Sequence, residues 1–450
     1  MLKRMQVRNF KAWHEADLEF GRITGFFGTN SAGKSSLLQL LLLLKQTKNA
    51  TDRGLVLDFG SSTDLVNLGT FSDVVHRHDD EEKIAWTLEW LMSDTLTIND
   101  PMESPKRPLF QAETIRTTCE VGLRQARLWS HRLEYRFDNV GFLLEPGTRN
   151  KYRLRTEDTE FRFIRNRGRA WPLPSPIKTH LFPDEVRHFY QNADFLTDLE
   201  LAYEELMDSI HYLGPLREHP RREYHWAGSS PGDVGQRGER TVDAILAATR
   251  DRMTRSLGYR RKKRSFQEMI AHWLHTLGLI HEFRLEEISQ GTNLYQAIVK
   301  TTGSSTPTAL TDVGFGVSQV LPALVLLYYV PEGSTVLMEQ PEIHLHPAVQ
   351  AGLADVMLNV AEVRNIQIVV ESHSEHLMRR LQRRVAEDEV SSEDVKLYFV
   401  STDKGRARAN DLALNEWGEI ENWPHNFFGD ELGEIAAIAE ASLRRRMEAG

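Results

Sequence analysis

Gly28-Thr29-Asn30-Ser31-Ala32-Gly33-Lys34-Ser35 satisfies the pattern G-x-x-x-x-G-K-[ST] at every required position. Its flanks supply the context the pattern needs. Ile23 to Phe27 read as a short apolar strand, and Ser35 to Leu44 as a strongly apolar helix. A loop between a strand and a helix N-terminus offers backbone N–H groups to an anion. Gly28 and Gly33 let the chain wrap closely where side chains would clash. The expected contacts are Gly28, Asn30, Ser31, Ala32, Gly33, Lys34, Ser35 and Ser36, with Lys34 on the β- and γ-phosphates and Ser35 on Mg²⁺. The expected ligand is a nucleoside triphosphate, ATP with Mg²⁺.

Working outward, Leu2 to Phe20 alternate apolar and polar residues as an antiparallel hairpin does. From about residue 83 to 175, strand-like stretches such as Arg127 to Phe137 are separated by Gly, Pro and Asn. The last third alternates short apolar strands (Thr335 to Met338, Ile366 to Val370, Val395 to Val400) with helices (Ala348 to Glu362, Glu375 to Val385). That alternation implies a parallel sheet covered on both faces, shared with the phosphate loop. The expected division is 1–82 for the first part of the core and 83–175 for a β-rich insertion. A helical lobe over 176–310, the second part of the core over 311–400 and a C-terminal segment over 401–450 follow.

Composition narrows the class. The chain has 450 residues, 40% hydrophobic and 26% charged, which suits a globular protein of two to three domains. Cys119 is the single cysteine, so disulfides within the chain and multi-cysteine zinc sites are excluded, and a reducing cytoplasm is expected. The apolar run Leu37 to Leu44 is too short to span a bilayer, and no membrane role is expected. A net charge of -9 argues against a surface coated for nucleic acid, though two basic clusters stand out: Arg260-Arg261-Lys262-Lys263-Arg264, and Arg379, Arg380, Arg383 and Arg384 at helical spacing. Either cluster can equally be an ordinary solvated surface.

Three further segments carry chemistry. In Val336-Leu337-Met338-Glu339-Gln340-Pro341-Glu342-Ile343-His344-Leu345-His346-Pro347, Glu339 ends a buried strand, where an acid can meet a metal-bound water. Gln340 and Glu342 are placed to orient an attacking water. In Val369-Val370-Glu371-Ser372-His373-Ser374-Glu375-His376, His373 directly follows a strand and can reach the same phosphate. In Thr311-Asp312-Val313-Gly314-Phe315-Gly316-Val317-Ser318-Gln319, Gly314, Gly316 and Ser318 open an apolar helix and offer more phosphate donors, although an ordinary glycine-bearing helix start reads the same way. His344, His346, His373 and His376 with Glu339 also admit a zinc reading, which the phosphate loop makes unnecessary.

Taken in order, GTNSAGKSS, DVGFGVSQVLP, VLMEQPEIHLHP and VVESHSEHL resemble the ABC-type ATPases of the SMC, RecF and OLD (overcoming lysogenization defect) group. Within it the chain is similar to stand-alone bacterial AAA-type ATPases with a short C-terminal domain of unknown function. Tyr212-Leu213-Gly214-Pro215-Leu216-Arg217 and Trp423-Pro424-His425-Asn426-Phe427-Phe428 carry that likeness. The resemblance implies an α/β P-loop NTPase of ABC type, with a mixed sheet, helices on both faces, a β-rich insertion and a helical lobe. It makes Gly28 to Ser35 the Walker A loop and Glu339 the Walker B acid, which shares the metal with Ser35. It places His346 at the D-loop, His373 at the switch histidine and Asp312 to Gln319 at the signature motif. Catalysis would fall to Glu339, Gln340, Glu342 and His373, with two ATPs sandwiched in a head-to-tail homodimer. One departure stands out: the slot after the Walker B acid usually holds a glutamate and here holds Gln340. Either Glu342 or Glu339 is the base, or hydrolysis is slow and ATP mainly holds a dimer. No Q-loop glutamine is identified.

A TOPRIM nuclease would need a D-x-D on later strands, and none follows His376, so no nuclease activity is expected. The first functional expectation is a sensor or regulator ATPase of an anti-phage defence system, acting with a separate effector such as a nuclease or toxin. The alternative is a DNA-binding ATPase of repair or recombination, with the two basic clusters as contacts. A transporter subunit is disfavoured by the β-rich insertion.

Overall fold

A computed structural model describes residues 1–99, 108–147, 151–157, 160–168, 171–289 and 291–424, with Ile438, Ala441, Ser442 and Arg445 beyond. The stretch His425 to Phe428 that contributed to the family likeness lies outside the described residues.

The chain opens with β1 (Leu2–Phe10) and β2 (Trp13–Glu19), a tight antiparallel hairpin, and then β3 (Ile23–Gly28). The phosphate loop follows and leads into α1 (Lys34–Asn49), whose leucines are buried on every side. A helix apolar all round belongs in a core, and that is where α1 lies. After the short α2 (Phe71–Val74) come β4 (Ile84–Asn99), β5 (Pro108–Arg124), β6 (Arg127–Phe137), β7 (Val140–Pro146) and β8 (Tyr152–Glu157). These strands, expected as a β-rich insertion, join the N-terminal hairpin. β4 pairs antiparallel with β1, giving one seven-stranded sheet in the order β2-β1-β4-β5-β6-β7-β8.

Helices α3 (Glu185–Phe189) and α4 (Leu196–Ser209) lead to β9 (Ile210–Leu213). The following segment holds β10 (Tyr224–His225), α5 (Thr241–Arg250), β11 (Thr254–Arg255), β12 (Arg264–Ser265) and α6 (Phe266–Thr276). It closes with β13 (Glu282–Glu287), β14 (Leu294–Lys300) and β15 (Thr308–Ala309), which with β10 make a small antiparallel sheet. Thus the segment expected to be helical carries a sheet as well.

The remainder is α7 (Phe315–Tyr329), β16 (Thr335–Glu339), α8 (Pro347–Arg364), β17 (Gln367–Glu371), α9 (Glu375–Ala386), β18 (Val395–Asp403) and β19 (Arg406–Asp411). The second sheet runs β19-β18-β3-β17-β16-β9, parallel except for β19. It is buried on both faces: Phe26, Leu337 and Val369 face α1 and the large sheet, whereas Phe27, Val336, Met338, Ile368 and Val370 face α7, α8 and α9. This is the P-loop α/β fold expected. Among the described residues no helix is long and apolar enough to cross a membrane.

Candidate functional site

Parallel pairing brings the motifs together. β17 lies between β3 and β16, with Glu371 opposite Phe26 on one side and Glu339 on the other. The C-terminal ends of the three strands therefore meet beside the phosphate loop, where ligands bind in open α/β sheets.

In the loop, Gly28 has φ +133°, and a Cβ there would lie 2.0 Å from the Val400 carbonyl oxygen. Gly33, at φ +102°, precedes α1 and its carbonyl accepts from the Trp13 indole N–H at 3.0 Å. Thr29, Asn30 and Ser31 are exposed at the crown of the loop, Ala32 is buried, and Ser36 is half-buried. The Lys34 ammonium is buried and donates to the carbonyls of Gly28 (3.2 Å) and Thr29 (2.8 Å). Burial lowers its pKa, while Glu371 and Glu342 pull the other way.

Three buried acids converge here. Glu339 accepts the Tyr212 hydroxyl at 2.8 Å, and the buried Arg217 reaches its backbone carbonyl at 3.5 Å. Burial first, then the Glu371 charge, push the Glu339 carboxyl up to about 7. Glu342 accepts from the Ser372 hydroxyl (2.7 Å) and the His373 backbone N–H (2.8 Å), tying the loop after β16 to the loop after β17. Against burial, the Ser35 side chain acts on the Glu371 carboxyl to lower its pKa. Glu342 and Glu371 each keep one oxygen, and Arg217 keeps Nε and Nη1, with no hydrogen-bond partner. Burial also raises the carboxyls of Glu342 and Glu371. Gln340 sits at φ 44° with its N–H on the Glu371 carbonyl at 2.8 Å.

Burial, then Lys34, lower the pKa of the His373 ring, with the Gly28 backbone acting the other way. His346 caps α8, its Nδ1 accepting from the Ala348 N–H, and the His344 ring packs on Phe315 at 5.5 Å. These two histidines are thus used structurally. Among the described residues no group of three or more His, Cys, Asp or Glu is arranged to hold a metal. A Mg²⁺ ion fits nonetheless, because it takes one or two protein oxygens and fills its octahedron with phosphate and water. The unpartnered carboxylate oxygens and the Ser35 hydroxyl are such groups.

The signature segment stands at the start of α7. Gly314 has open space around it, Phe315 is 44% exposed, and Asp312 pairs with Arg222 at 2.8 Å. Gly316 lies near Leu345 of the loop after β16. Ser318, unlike Gly314 and Phe315, is buried, as are Val317 and Gln319, and its hydroxyl donates to the Phe315 carbonyl at 2.7 Å. His219 packs on the other side of Phe315 at 5.3 Å, so three rings connect the loop after β9, the signature segment and the loop after β16.

Sequence reasoning missed four contributors. Glu371 lay inside a quoted motif but carried no role. Tyr212 and Arg217 were quoted only for family likeness. Lys11, in the β1–β2 turn, donates to Gln39 of α1 at 2.6 Å and feels the Glu339 charge. No local pattern marks it.

The basic face of α9 is neutralised: Arg380 and Arg384 pair with Asp355 of α8, Arg379 with Glu375, and Arg383 with Glu387. Arg260 to Lys263 remain exposed. A groove of about 720 Å³ between the large sheet and β19, lined by His14, Arg406 and Arg408 among others, contains none of the motif residues and is not the site.

A P-loop strand in a parallel sheet ordered β18-β3-β17-β16-β9, with a Walker B-type acid two strands away and a histidine just beyond the strand between, defines a nucleotide-binding ATPase of ABC type. The chain belongs to the family described as "AAA domain, putative AbiEii toxin, Type IV TA system", whose model matches residues 139–379, over half of the chain. An AAA ATPase domain model matches residues 1–171, and a family of unknown function, DUF3696, matches residues 390–438. No curated protein matches. Similar solved structures include an Smc head bound to the C-winged helix domain of ScpA, at 11% identity over 92% of this chain and 98% of that one, TM-score 0.46. The SMC head domain from Thermotoga maritima has 10% identity, with 91% and 98% covered and TM-score 0.41. An Smc head with an extended coiled coil bound to the ScpA C-terminal domain, derived from Pyrococcus furiosus, has 11% identity, 92% and 96% covered and TM-score 0.45.

Proposed function

We propose that two copies of this chain bind Mg²⁺-ATP between them and use binding with slow hydrolysis as a conformational switch. The observation that carries this reading is the phosphate loop. Lys34, Ser35, Glu371 and His373 converge on it, and Lys34 meanwhile rests on the loop's own carbonyls. A triphosphate offers that ammonium a charged partner in place of two neutral ones. Mg²⁺, when bound, neutralises charge developing on the β- and γ-phosphate oxygens. Lys34 and the loop N–H groups hold the phosphates, and His373 stands ready to meet the γ-phosphate. Gln340 orients a water but cannot take its proton, which supports slow turnover. The open Gly314–Phe315–Gly316 edge is the surface offered to the second copy's nucleotide.

In the cell the chain acts in the cytoplasm as the sensor or regulator of an anti-phage defence system with a separate effector, a nuclease or toxin. The family description, a putative toxin of a type IV system, supports a place in such conflict systems. Lys34→Ala should abolish ATP binding in calorimetry, and retained affinity refutes the loop assignment. Light scattering should show ATP-dependent doubling of mass; an assembly indifferent to ATP refutes the switch.

A second reading, DNA binding, rests on one surface. Tyr259 is 87% exposed with the Arg260 guanidinium 5.0 Å above its ring, beside exposed Arg261, Lys262 and Lys263. Aromatic and basic groups together suit single-stranded nucleic acid. Salt-sensitive DNA binding that disappears when these charges are neutralised would favour it.

A further inference from the structure

The loop after β9 turns one long cation inward. Backbone bonds anchor the loop on both sides, from the Gly214 N–H to the Gln236 carbonyl and from the Glu218 N–H to the Arg237 carbonyl, each 2.8 Å. Between those anchors Leu216 is 71% exposed, whereas Arg217 is only 6% exposed. The Arg217 guanidinium lies at the head of β16, where Nη2 makes one long contact, 3.5 Å, with the Glu339 carbonyl. Nε and Nη1 are buried with no hydrogen-bond partner, and among the described residues Arg217 forms no ion pair. Glu342 also has an open oxygen, but its other one is held by Ser372 and the His373 N–H, and the two groups do not meet. A buried carboxyl relieves such a position by taking up a proton. A guanidinium has no such escape: burial lowers Arg217 only to about 10, so it stays charged at neutral pH. Its open donors call for an anion that the chain itself does not supply.

We propose that Arg217 receives the γ-phosphate of the bound nucleotide and so sets a preference for triphosphate over diphosphate. The inference rests on the nucleotide-binding reading above and deepens it. The strand order β3-β17-β16-β9 puts the Arg217 loop across the strand ends from the phosphate loop. Lys34 and the loop N–H groups hold the phosphates from one side, and the open donors of Arg217 wait on the other. Parallel N–H donors on a planar fork match phosphate oxygens, a geometry that an ammonium lacks. ADP leaves those donors unmet.

The test compares ATP with ADP, each with Mg²⁺, titrated calorimetrically into the full-length chain. The unaltered protein should prefer ATP. Arg217→Gln removes the charge and should weaken ATP by about tenfold or more while changing ADP little. Arg217→Lys keeps the charge without the fork and should show an intermediate loss, which also supplies the measurement should Arg217→Gln fail to fold. Arg221→Gln, on the same loop but exposed and paired with Glu218, should leave the ATP-to-ADP ratio as it was. An unchanged ratio in whichever Arg217 variant folds overturns the assignment. An equal loss of both nucleotides overturns it too, because that marks an arginine needed only for the fold. If the unaltered protein binds neither nucleotide, the nucleotide reading itself fails, and that result is distinct from the others.

Discussion

Gln340 shows how much one atom exchange decides. It follows Glu339 at the head of β16, and its amide, unlike a carboxylate, cannot accept the proton of an attacking water. Gln340→Glu should raise ATP turnover about a hundredfold, within the range a placed general base contributes, and steady-state phosphate release measures it. No acceleration would mean that the base lies elsewhere. Glu339 yields a prediction about pH. Its folded carboxyl is raised to about 7 by burial, while the unfolded chain titrates near 4.5. Between those values the folded state keeps a proton that the unfolded chain has released, so rising pH favours unfolding. The nucleotide-free protein should lose about 3 kcal/mol from this group between pH 4.5 and 7. Urea unfolding across that range should give a flatter profile for Glu339→Gln; identical slopes would refute the assignment.

Among elements, α1 is the most demanding, since it lies between the two sheets with Leu37, Leu38 and Leu40 to Leu44 all buried. Leu41→Ala should cost about 2–5 kcal/mol in chemical denaturation. Helix α6 carries a capping box, the Ser265 hydroxyl accepting from Glu268 N–H, and Ser265→Ala should cost about 1 kcal/mol. Elements of this kind were legible in the sequence. Local periodicity marks β3, α1, β16, β17 and α8 to within a few residues, and the four motifs fall at their ends. What local patterns do not encode is which strand lies beside which. Glu371 comes to lie beside the phosphate-loop strand only because β17 separates β3 from β16, and Tyr212 meets Glu339 from 127 residues away. The basic spacing on α9 reads as a nucleic-acid face until Asp355, on a different helix, takes up two of its arginines.

At the scale of the whole molecule, the two sheets are clasped at the starts of β1 and β17 as well as through α1. The Gln367 amide bridges them, accepting from the Leu2 N–H and donating to the Leu2 carbonyl. The β1–β2 turn in turn rests on the phosphate loop through Trp13. The large antiparallel sheet is therefore a wall of the site, with a pairing order that short-range alternation could not announce.

The ring chain from His219 through Phe315 to His344 has a consequence for how two nucleotides would share the molecule. Phe315 is 44% exposed, and His344 belongs to the same loop as Glu342, which accepts from the His373 backbone N–H. A second copy pressing on Phe315 would shift the groups around the first copy's ATP, and the effect must be reciprocal. ATP binding should therefore be sigmoidal, with a Hill coefficient between about 1 and 2, and Phe315→Ala should return it to a hyperbola without abolishing either site.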